Sequence, residues 1–265
     1  MLKRKIEKTI INYLNSNSNK IMIIDGARQI GKSFIIRYVA TEILKPKFTN
    51  YIEINFVEDS LSDRLFSNIN NKEDFYLQLS MIAGDKMKEK DNTLIFIDEI
   101  QEYPQFLTMP KFLKQDDKFT YICSGSLLGV TLAKTPSIPI DSIDVVRMYP
   151  LDFEEFLYAN GFNEIAINSI HAKFIKKESL ESTIHNRLLD LFKKYLLTGG
   201  LPDAINSFIN DRNIFNIRKI QSDIYDYYGD GASKYDKDHK LKIKRIYDLI
   251  SSNLEDKKKR VVVKI

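Results

Sequence analysis

An eight-residue stretch, GARQIGKS at residues 26–33, constrains the fold of this chain more than any other part of the sequence. It fits the pattern G-x-x-x-x-G-K-[ST], in which glycines let the backbone curl around a phosphate and Lys32 supplies a positive charge. The apolar run at residues 20–25 predicts a buried parallel strand, and residues 34–44 predict a helix that ends before Pro46. Strand, loop and helix in this order predict a nucleoside triphosphate site, because amide N–H groups at the helix N-terminus face the anion.

Composition sets wide bounds on the class of protein. A chain of 265 residues, 43% of them hydrophobic, can bury one large domain or two smaller ones. The net charge of +4, from 40 basic and 36 acidic residues, is too balanced to indicate nucleic-acid binding by itself. Cys123 is the only cysteine and the three histidines lie far apart, so neither an internal disulfide nor a zinc site is predicted. No apolar run approaches the ~20 residues of a membrane helix, and a soluble cytoplasmic protein is expected.

A second stretch, TLIFIDEIQ at residues 93–101, places two adjacent carboxylates after four apolar residues. The apolar residues predict a buried strand, and carboxylates at the carboxyl end of a parallel strand lie where such sheets bind ligands. Asp98 is predicted to hold Mg²⁺, directly or through water, and Glu99 to orient or deprotonate the attacking water. Taken alone, the pair fits a helix N-terminus equally well. The loop at residues 26–33 favours the catalytic interpretation.

Glu99 separates two classes of nucleotide-binding protein. A kinase transfers phosphate to a bound substrate and needs no carboxylate to activate water, whereas Asp-Glu at a strand end indicates hydrolysis. The additional-strand group of ATPases places a further strand between the loop strand and the Asp-Glu strand, and residues 118–123 predict such a strand. Ser124 at its tip is predicted to sense the γ-phosphate; the alternative is that it only begins a turn.

Arg147 lies near the end of a fifth predicted strand, at residues 144–149. Its side chain could contact the nucleotide or a neighbouring subunit of a homo-oligomer. A surface arginine on an edge strand is an equally good interpretation.

Three other segments complete the predicted ATPase region. Residues 2–16 predict an amphipathic helix that covers one edge of the core, and residues 50–56 alternate as a strand does. The NKED stretch at residues 71–74 spells a guanine-reading motif, but it follows no buried strand. We therefore predict that it is the solvated start of a helix.

Five short motifs occur in a fixed order along the chain. They are GARQIGKS at residues 26–33, IDEIQ at 97–101, SGS at 124–126, YPLDFEEFL at 149–157 and YLLTGGLP at 195–202. Together they resemble a family of bacterial and archaeal AAA-like ATPases, with an AAA_14-type ATP-binding domain followed by a C-terminal domain of unknown function (DUF4143-type). The Arg-Gln pair of the loop is part of the resemblance, whereas Asp152 replaces the serine usual in the fourth motif.

The resemblance implies two regions, an AAA-like P-loop ATPase domain over residues 1–160 and a helical or winged-helix-like region over residues 161–265. The family usually continues into a further C-terminal domain, so a shortened version is expected. In related signal-transducing ATPases a Gly-x-Pro junction packs against the nucleotide, which suggests that Gly200-Leu201-Pro202 closes the site. A helix-turn-helix corner with no ligand contact is equally compatible with these residues.

Local patterns describe the second half of the chain. Asp152 is predicted to cap a helix, with Glu155 at capping-box spacing. Helical stripes follow, with a loop predicted at residues 230–234. The basic run at residues 257–260 precedes an apolar end at 261–265; it is either a solvated stretch or a DNA contact.

These features predict an α/β fold: a P-loop NTPase of the additional-strand, AAA-like group, with a central parallel sheet flanked by helices and a helical or winged-helix-like domain after it. The predicted function is hydrolysis of ATP with Mg²⁺ through Walker A (residues 26–33) and Walker B (residues 94–99) motifs, coupled to the C-terminal helices. The alternative is a nucleotide-gated switch or scaffold with little turnover, with DNA as a candidate partner and no membrane association. The predicted nucleotide contacts are Gly26, Ala27, Arg28, Gln29, Ile30, Gly31, Lys32, Ser33, Phe34 and Pro202. The predicted catalytic residues are Glu99, Lys32, Ser124 and Arg147, and the predicted metal ligands are Ser33 and Asp98.

Overall fold

The computed structural model describes residues 1–55, 66, 69, 71–87, 92–126, 140–232 and 240–255. The chain divides into two compact units, Met1–Pro202 and Asp203–Ile265. The division falls later in the sequence than the boundary at residue 160 that the motifs predicted. Within the described parts of the chain, the helices are too short or too polar to span a lipid bilayer.

A five-stranded parallel sheet forms the centre of the first unit. Its strands are β1 (Ile21–Asp25), β2 (Asn50–Asn55), β3 (Thr93–Asp98), β4 (Thr120–Gly125) and β5 (Ile143–Arg147). Their order is β2-β3-β4-β1-β5, with every neighbouring pair parallel. The prediction of an additional strand is confirmed, because β4 lies between the loop strand β1 and the Asp-Glu strand β3. All three carboxyl ends therefore meet at one edge of the sheet.

Helices cover both faces of this sheet. Those that pack on it are α1 (Ile6–Asn15), α2 (Lys32–Tyr38), which a π-helical turn (Val39–Ile43) extends, α3 (Lys72–Ala83) and α4 (Pro110–Asp116). The helices α5 (Phe153–Ala159), α6 (Glu164–Lys176) and α7 (Ser182–Thr198) follow β5 in the chain. One face packs Ile23 and Ile97 against Phe75 of α3. The other packs Ile24 and Phe96 with residues of α1 and α2. The continuous apolar runs of β1 and β3 follow from this, since a parallel strand covered on both faces has no solvated side.

Two helices begin where the sequence predicted, and a side chain caps each of them. The side chain of Asn71 accepts a hydrogen bond from the backbone of Asp74 at 2.8 Å, so NKED begins α3 as predicted. At α5 the Asp152 carboxylate accepts from the Glu155 backbone N–H at 2.9 Å, and the Glu155 carboxylate accepts from the Asp152 N–H at 3.1 Å. This reciprocal pair is the predicted capping box.

Aromatic contacts and hydrogen bonds join residues 151–153, which follow β5, to the end of α7 and to Gly200. Phe153 of α5 meets Phe192 and Tyr195 with ring centroids 5.1 and 5.6 Å apart. The Tyr195 hydroxyl donates to the Leu151 carbonyl at 2.7 Å, and the Leu151 N–H donates to the Gly200 carbonyl at 2.8 Å. A Cβ added at Gly200 would lie 2.3 Å from the Leu151 carbonyl oxygen, so only glycine allows this backbone approach.

Gly200→Ala is expected to lower the free energy of unfolding by about 2 kcal/mol, because the backbone around Leu151 must move to admit the methyl group. Gly161→Ala is the matched control. Its φ of +87° strains a side chain but nothing lies within 4 Å of the new Cβ, so a loss of about 1 kcal/mol is expected. Urea denaturation followed by circular dichroism measures both. A smaller loss for Gly200→Ala than for Gly161→Ala would contradict the packing described for this corner.

The second unit is helical in its described residues. The helix α8 (Pro202–Asn210) begins at the last residue of the first unit, and α9 (Ile214–Ala232) and α10 (Lys240–Glu255) follow. Tyr225 and Tyr247 join α9 to α10, with ring centroids 4.7 Å apart and each hydroxyl donating to the other residue's carbonyl. The loop predicted from residue 230 is wrong at its start, since α9 continues to Ala232. The rest of that loop and the runs at residues 257–265 lie outside the described residues.

Candidate functional site

The loop at residues 26–33 joins β1 to α2 and wraps around its own lysine. The Lys32 ammonium donates to the carbonyl oxygens of Gly26 and Ala27 at 3.0 and 2.8 Å, and only 5% of the residue is exposed. Burial lowers the pKa of Lys32, while the nearby carboxylates of Glu99 and Asp98 raise it. A buried ammonium whose hydrogen bonds go to neutral carbonyl oxygens is stabilised further by a bound anion placed beside it.

Backbone geometry accounts for the two glycines of the loop. A Cβ at Gly26 would lie 2.3 Å from the carbonyl oxygen of Met148, which follows β5. Gly31, immediately before α2, has a φ of +89°, in the left-handed region that L side chains rarely adopt. Gln29 also takes a positive φ, of 60°. This strained backbone, found directly before a helix N-terminus, is typical of anion-binding loops.

Asp98 is the point at which the loop and the strand tips meet. It is 2% exposed, and one carboxylate oxygen accepts the Ser33 hydroxyl at 2.6 Å. The other oxygen accepts the Ser124 hydroxyl and, at 3.0 Å, the backbone N–H of Glu99. Burial raises the pKa of Asp98, and the two serine hydrogen bonds act in the opposite direction. Three predicted site residues, from α2, β3 and β4, are thus brought into direct contact.

The Glu99 side chain is held by residues to which sequence reasoning assigned no role. Its carboxylate accepts from the Gln101 amide and, at 3.4 Å, from the Ser126 hydroxyl. Gln101 in turn accepts the Ser126 backbone N–H at 2.9 Å, and Arg28 of the loop donates to the Ser126 hydroxyl at 3.2 Å. Glu99 itself has a φ of +53°. The only sequence signal for Gln101 and Ser126 was that they belong to the IDEIQ and SGS motifs.

The remaining predicted contacts take different positions. Pro202 lies beside the loop, since a Cβ added at Gly31 would be 3.8 Å from its ring. Phe34 is 56% exposed at the start of α2. Arg147 is exposed at the end of the edge strand β5, where it pairs in register with Asp25. Among the described residues, Arg147 takes no part in the hydrogen bonds around Asp98 and Glu99.

The donor set at Asp98 fits Mg²⁺ shared with a ligand. Mg²⁺ is usually bound by one or two carboxylates together with substrate phosphates and water. Ser33 and Asp98 supply a hydroxyl and a buried carboxylate at the N-terminus of α2, next to the loop. In the described ranges, no group of three or more His, Cys, Asp or Glu side chains could hold a metal by itself.

The fold and the site are those of a P-loop nucleotide-binding protein. They combine a glycine loop between β1 and α2, a buried Asp98 at the tip of β3 and a parallel sheet with an additional strand between β1 and β3. The sequence profile of the AAA domain family matches residues 18–157, just over half of the chain. The chain belongs to that family, whose fold and loop support the binding of ATP. The C-terminal domain of unknown function that the motifs suggested stays a prediction.

Individual proteins resemble this chain over a smaller part of its sequence or with a low structural similarity. The DNA mismatch repair protein MSH3 of Kluyveromyces lactis is 31% identical over 108 residues, which cover 36% of this chain and 10% of that relative. AMPPCP-bound DnaA from Aquifex aeolicus has a TM-score of 0.45 at 13% identity, covering 83% of this chain and 65% of that one. PCH-2 of C. elegans has a TM-score of 0.44 at 12% identity, covering 82% and 68%. TM-scores this low do not bear on function.

Proposed function

We propose that this chain binds ATP together with Mg²⁺ and hydrolyses it. The observation that carries the proposal is the convergence of the Ser33 and Ser124 hydroxyls on the buried Asp98 carboxylate, with Glu99 next in sequence. Membership of the AAA domain family supports the ATP-binding part. The hydrolytic part rests on the chemistry of these side chains.

Each residue has a separate role in the proposed reaction. The loop amides and Lys32 bind the β- and γ-phosphates, and Ser33 and Asp98 hold Mg²⁺. Bound Mg²⁺ would neutralise negative charge on the phosphates. Glu99 orients the attacking water and accepts its proton. Ser124 lies at the tip of the strand between the loop strand and β3, and it connects the state of the γ-phosphate to Asp98.

A route from the nucleotide to the C-terminal helices begins at Pro202. This residue lies beside Gly31 of the loop and is also the first residue of α8. We propose that a phosphate in the loop changes the packing around Pro202 and so alters the start of α8. Arg147, exposed at the end of β5, is a candidate for completing the site of a neighbouring subunit if the chain forms a homo-oligomer.

Two alternatives remain separate proposals. A nucleotide-gated switch with little turnover would use the same loop, and phosphate release measured on each purified oligomeric state distinguishes it from an ATPase. DNA binding would rest on the basic run at residues 257–260, outside the described residues, and would require affinity that falls as salt is raised.

A panel of ATP, GTP and ADP, each with Mg²⁺ or with EDTA, tests the proposal. Because a ligand that binds only the folded state stabilises it, ATP with Mg²⁺ at about 100 times its Kd should add about 2.7 kcal/mol to the free energy of unfolding. The melting temperature should rise by several degrees, and less so with EDTA. An equal melting temperature under all conditions would overturn the proposal.

Gln101→Leu is expected to lower the rate of hydrolysis by about tenfold while leaving the Kd for ATP unchanged. Leucine has a similar size but cannot donate to Glu99, and a misplaced base slows the reaction without affecting the phosphate loop. Gln105→Leu, at an exposed position nearby, is the control. Phosphate release and ATP titration measure the two quantities, and an unchanged rate would show that Glu99 does not depend on Gln101.

A further inference from the structure

Arg4, next to the start of α1, is buried against the phosphate loop although nothing in its sequence context suggests a role there. It is 7% exposed, and each of its three guanidinium nitrogens donates a hydrogen bond. Nε donates to Glu155 at 3.2 Å, Nη1 to the Ile30 carbonyl at 2.8 Å and Nη2 to the Tyr149 carbonyl at 2.6 Å. The planar fork of arginine is what allows three acceptors in different directions to be held at once.

The counter-charge of Arg4 is itself fixed in place. Glu155 is 5% exposed, and its carboxylate accepts from the Lys5 N–H at 2.6 Å and from the Asp152 N–H at 3.1 Å. The capping glutamate of α5 thus also anchors the start of α1. A buried ion pair of this kind is held in one geometry, because breaking it would leave an unpaired charge.

The contact with Ile30 bears on phosphate binding through the peptide bond between Ile30 and Gly31. This bond is trans, as are all the described peptide bonds, so its C=O and N–H point in opposite directions. Arg4 holds the Ile30 carbonyl and thereby turns the Gly31 N–H away from itself. A bound phosphate accepts hydrogen bonds from backbone N–H groups of the loop. The last of these N–H groups precede the N-terminus of α2.

We propose that Arg4 is a positioning residue for ATP binding: it fixes the peptide of Ile30 and Gly31 so that the loop is preformed before the nucleotide arrives. The inference rests on the proposed function of the loop. It predicts that losing the contact weakens ATP binding even where the protein remains folded, because the loop must then be ordered by the ligand.

Two variants separate positioning from stability. Arg4→Lys keeps the charge but cannot hold three acceptors in a fork. The double variant Arg4→Met with Glu155→Gln removes both charges together, so no unpaired charge is buried, and glutamine can still serve in the capping box. Lys3→Ala is the control, since the described contacts of the Lys3 ammonium are an exposed ion pair with Glu164 and a position over the ring of Tyr158.

Titration calorimetry of ATP with Mg²⁺ on the full chain, with melting temperatures measured without nucleotide, is the test. Both Arg4 variants should raise the Kd for ATP about tenfold, and Lys3→Ala should leave it unchanged. A folded double variant that binds ATP as tightly as the unaltered chain would overturn the inference while leaving the proposed function intact. Absence of binding by the unaltered chain would overturn the proposed function and this inference with it.

Discussion

Replacing Glu99 with glutamine is expected to leave ATP binding intact and to slow hydrolysis by about 10²–10⁴-fold. Glutamine has the shape of glutamate but cannot accept the proton of the attacking water. Binding should persist because the hydrogen bonds of Lys32 and of the pair formed by Ser33 and Asp98 do not involve the Glu99 side chain. Phosphate release under saturating ATP and Mg²⁺ measures the rate, and calorimetry measures the Kd.

Glu102→Gln is the matched control for that experiment. It makes the same chemical change three residues later, at a carboxylate that is 46% exposed and 4.0 Å from Arg28. An exposed pair of this kind contributes little, so the rate should stay within about twofold of the unaltered chain. Normal turnover by Glu99→Gln would show that another group activates the water.

Lys32→Ala should raise the Kd for ATP about a hundredfold or more, because the phosphates lose a charge-assisted partner in a buried site. The substitution should not lower the stability of the folded state. Burial disfavours the charged form of Lys32 and thereby lowers its pKa. Removing the ammonium therefore removes an unfavourable contribution to the free energy of folding. We therefore expect an unchanged or higher melting temperature in the absence of nucleotide.

Lys20→Ala provides the comparison for Lys32, since it removes an exposed lysine at the other end of β1. Its Kd for ATP should equal that of the unaltered chain. If Lys32→Ala bound ATP as tightly as Lys20→Ala, the loop would not be the phosphate site. A loss of binding together with unfolding would instead mean that the carbonyl contacts of Lys32 are structural.

The features predicted correctly from sequence are those that local chemistry determines. The loop between β1 and α2 follows from two glycines and a lysine at fixed spacing. The strands β1, β3 and β4 follow from apolar runs that end in polar side chains, whereas their order was predicted from the additional-strand group of ATPases. The capping box of α5 likewise involves only neighbouring residues. Periodicity and spacing carry such information because the contacts are short in sequence.

Contacts that join distant parts of the chain could not be predicted in this way. Arg4 lies 26 residues from Ile30 and 151 from Glu155, and its own surroundings look like the start of an ordinary surface helix. Gln101 is near Glu99 in sequence, yet its bond to the Ser126 backbone depends on the pairing of β3 with β4. The end of α9 was misplaced because Gly231 indicated a loop, whereas the helix continues to Ala232.

The central claim is that a phosphate loop and an adjoining Asp98-Glu99 strand tip form one ATP-hydrolysing site. The most direct test is to titrate ATP into the full chain with Mg²⁺, and again with EDTA in its place, and then to quantify phosphate released over time. We predict saturable binding of one ATP per chain, tighter with Mg²⁺, followed by phosphate release that EDTA abolishes. Saturable binding without phosphate release in any oligomeric state would contradict the hydrolytic assignment, and the absence of saturable binding would contradict the site itself.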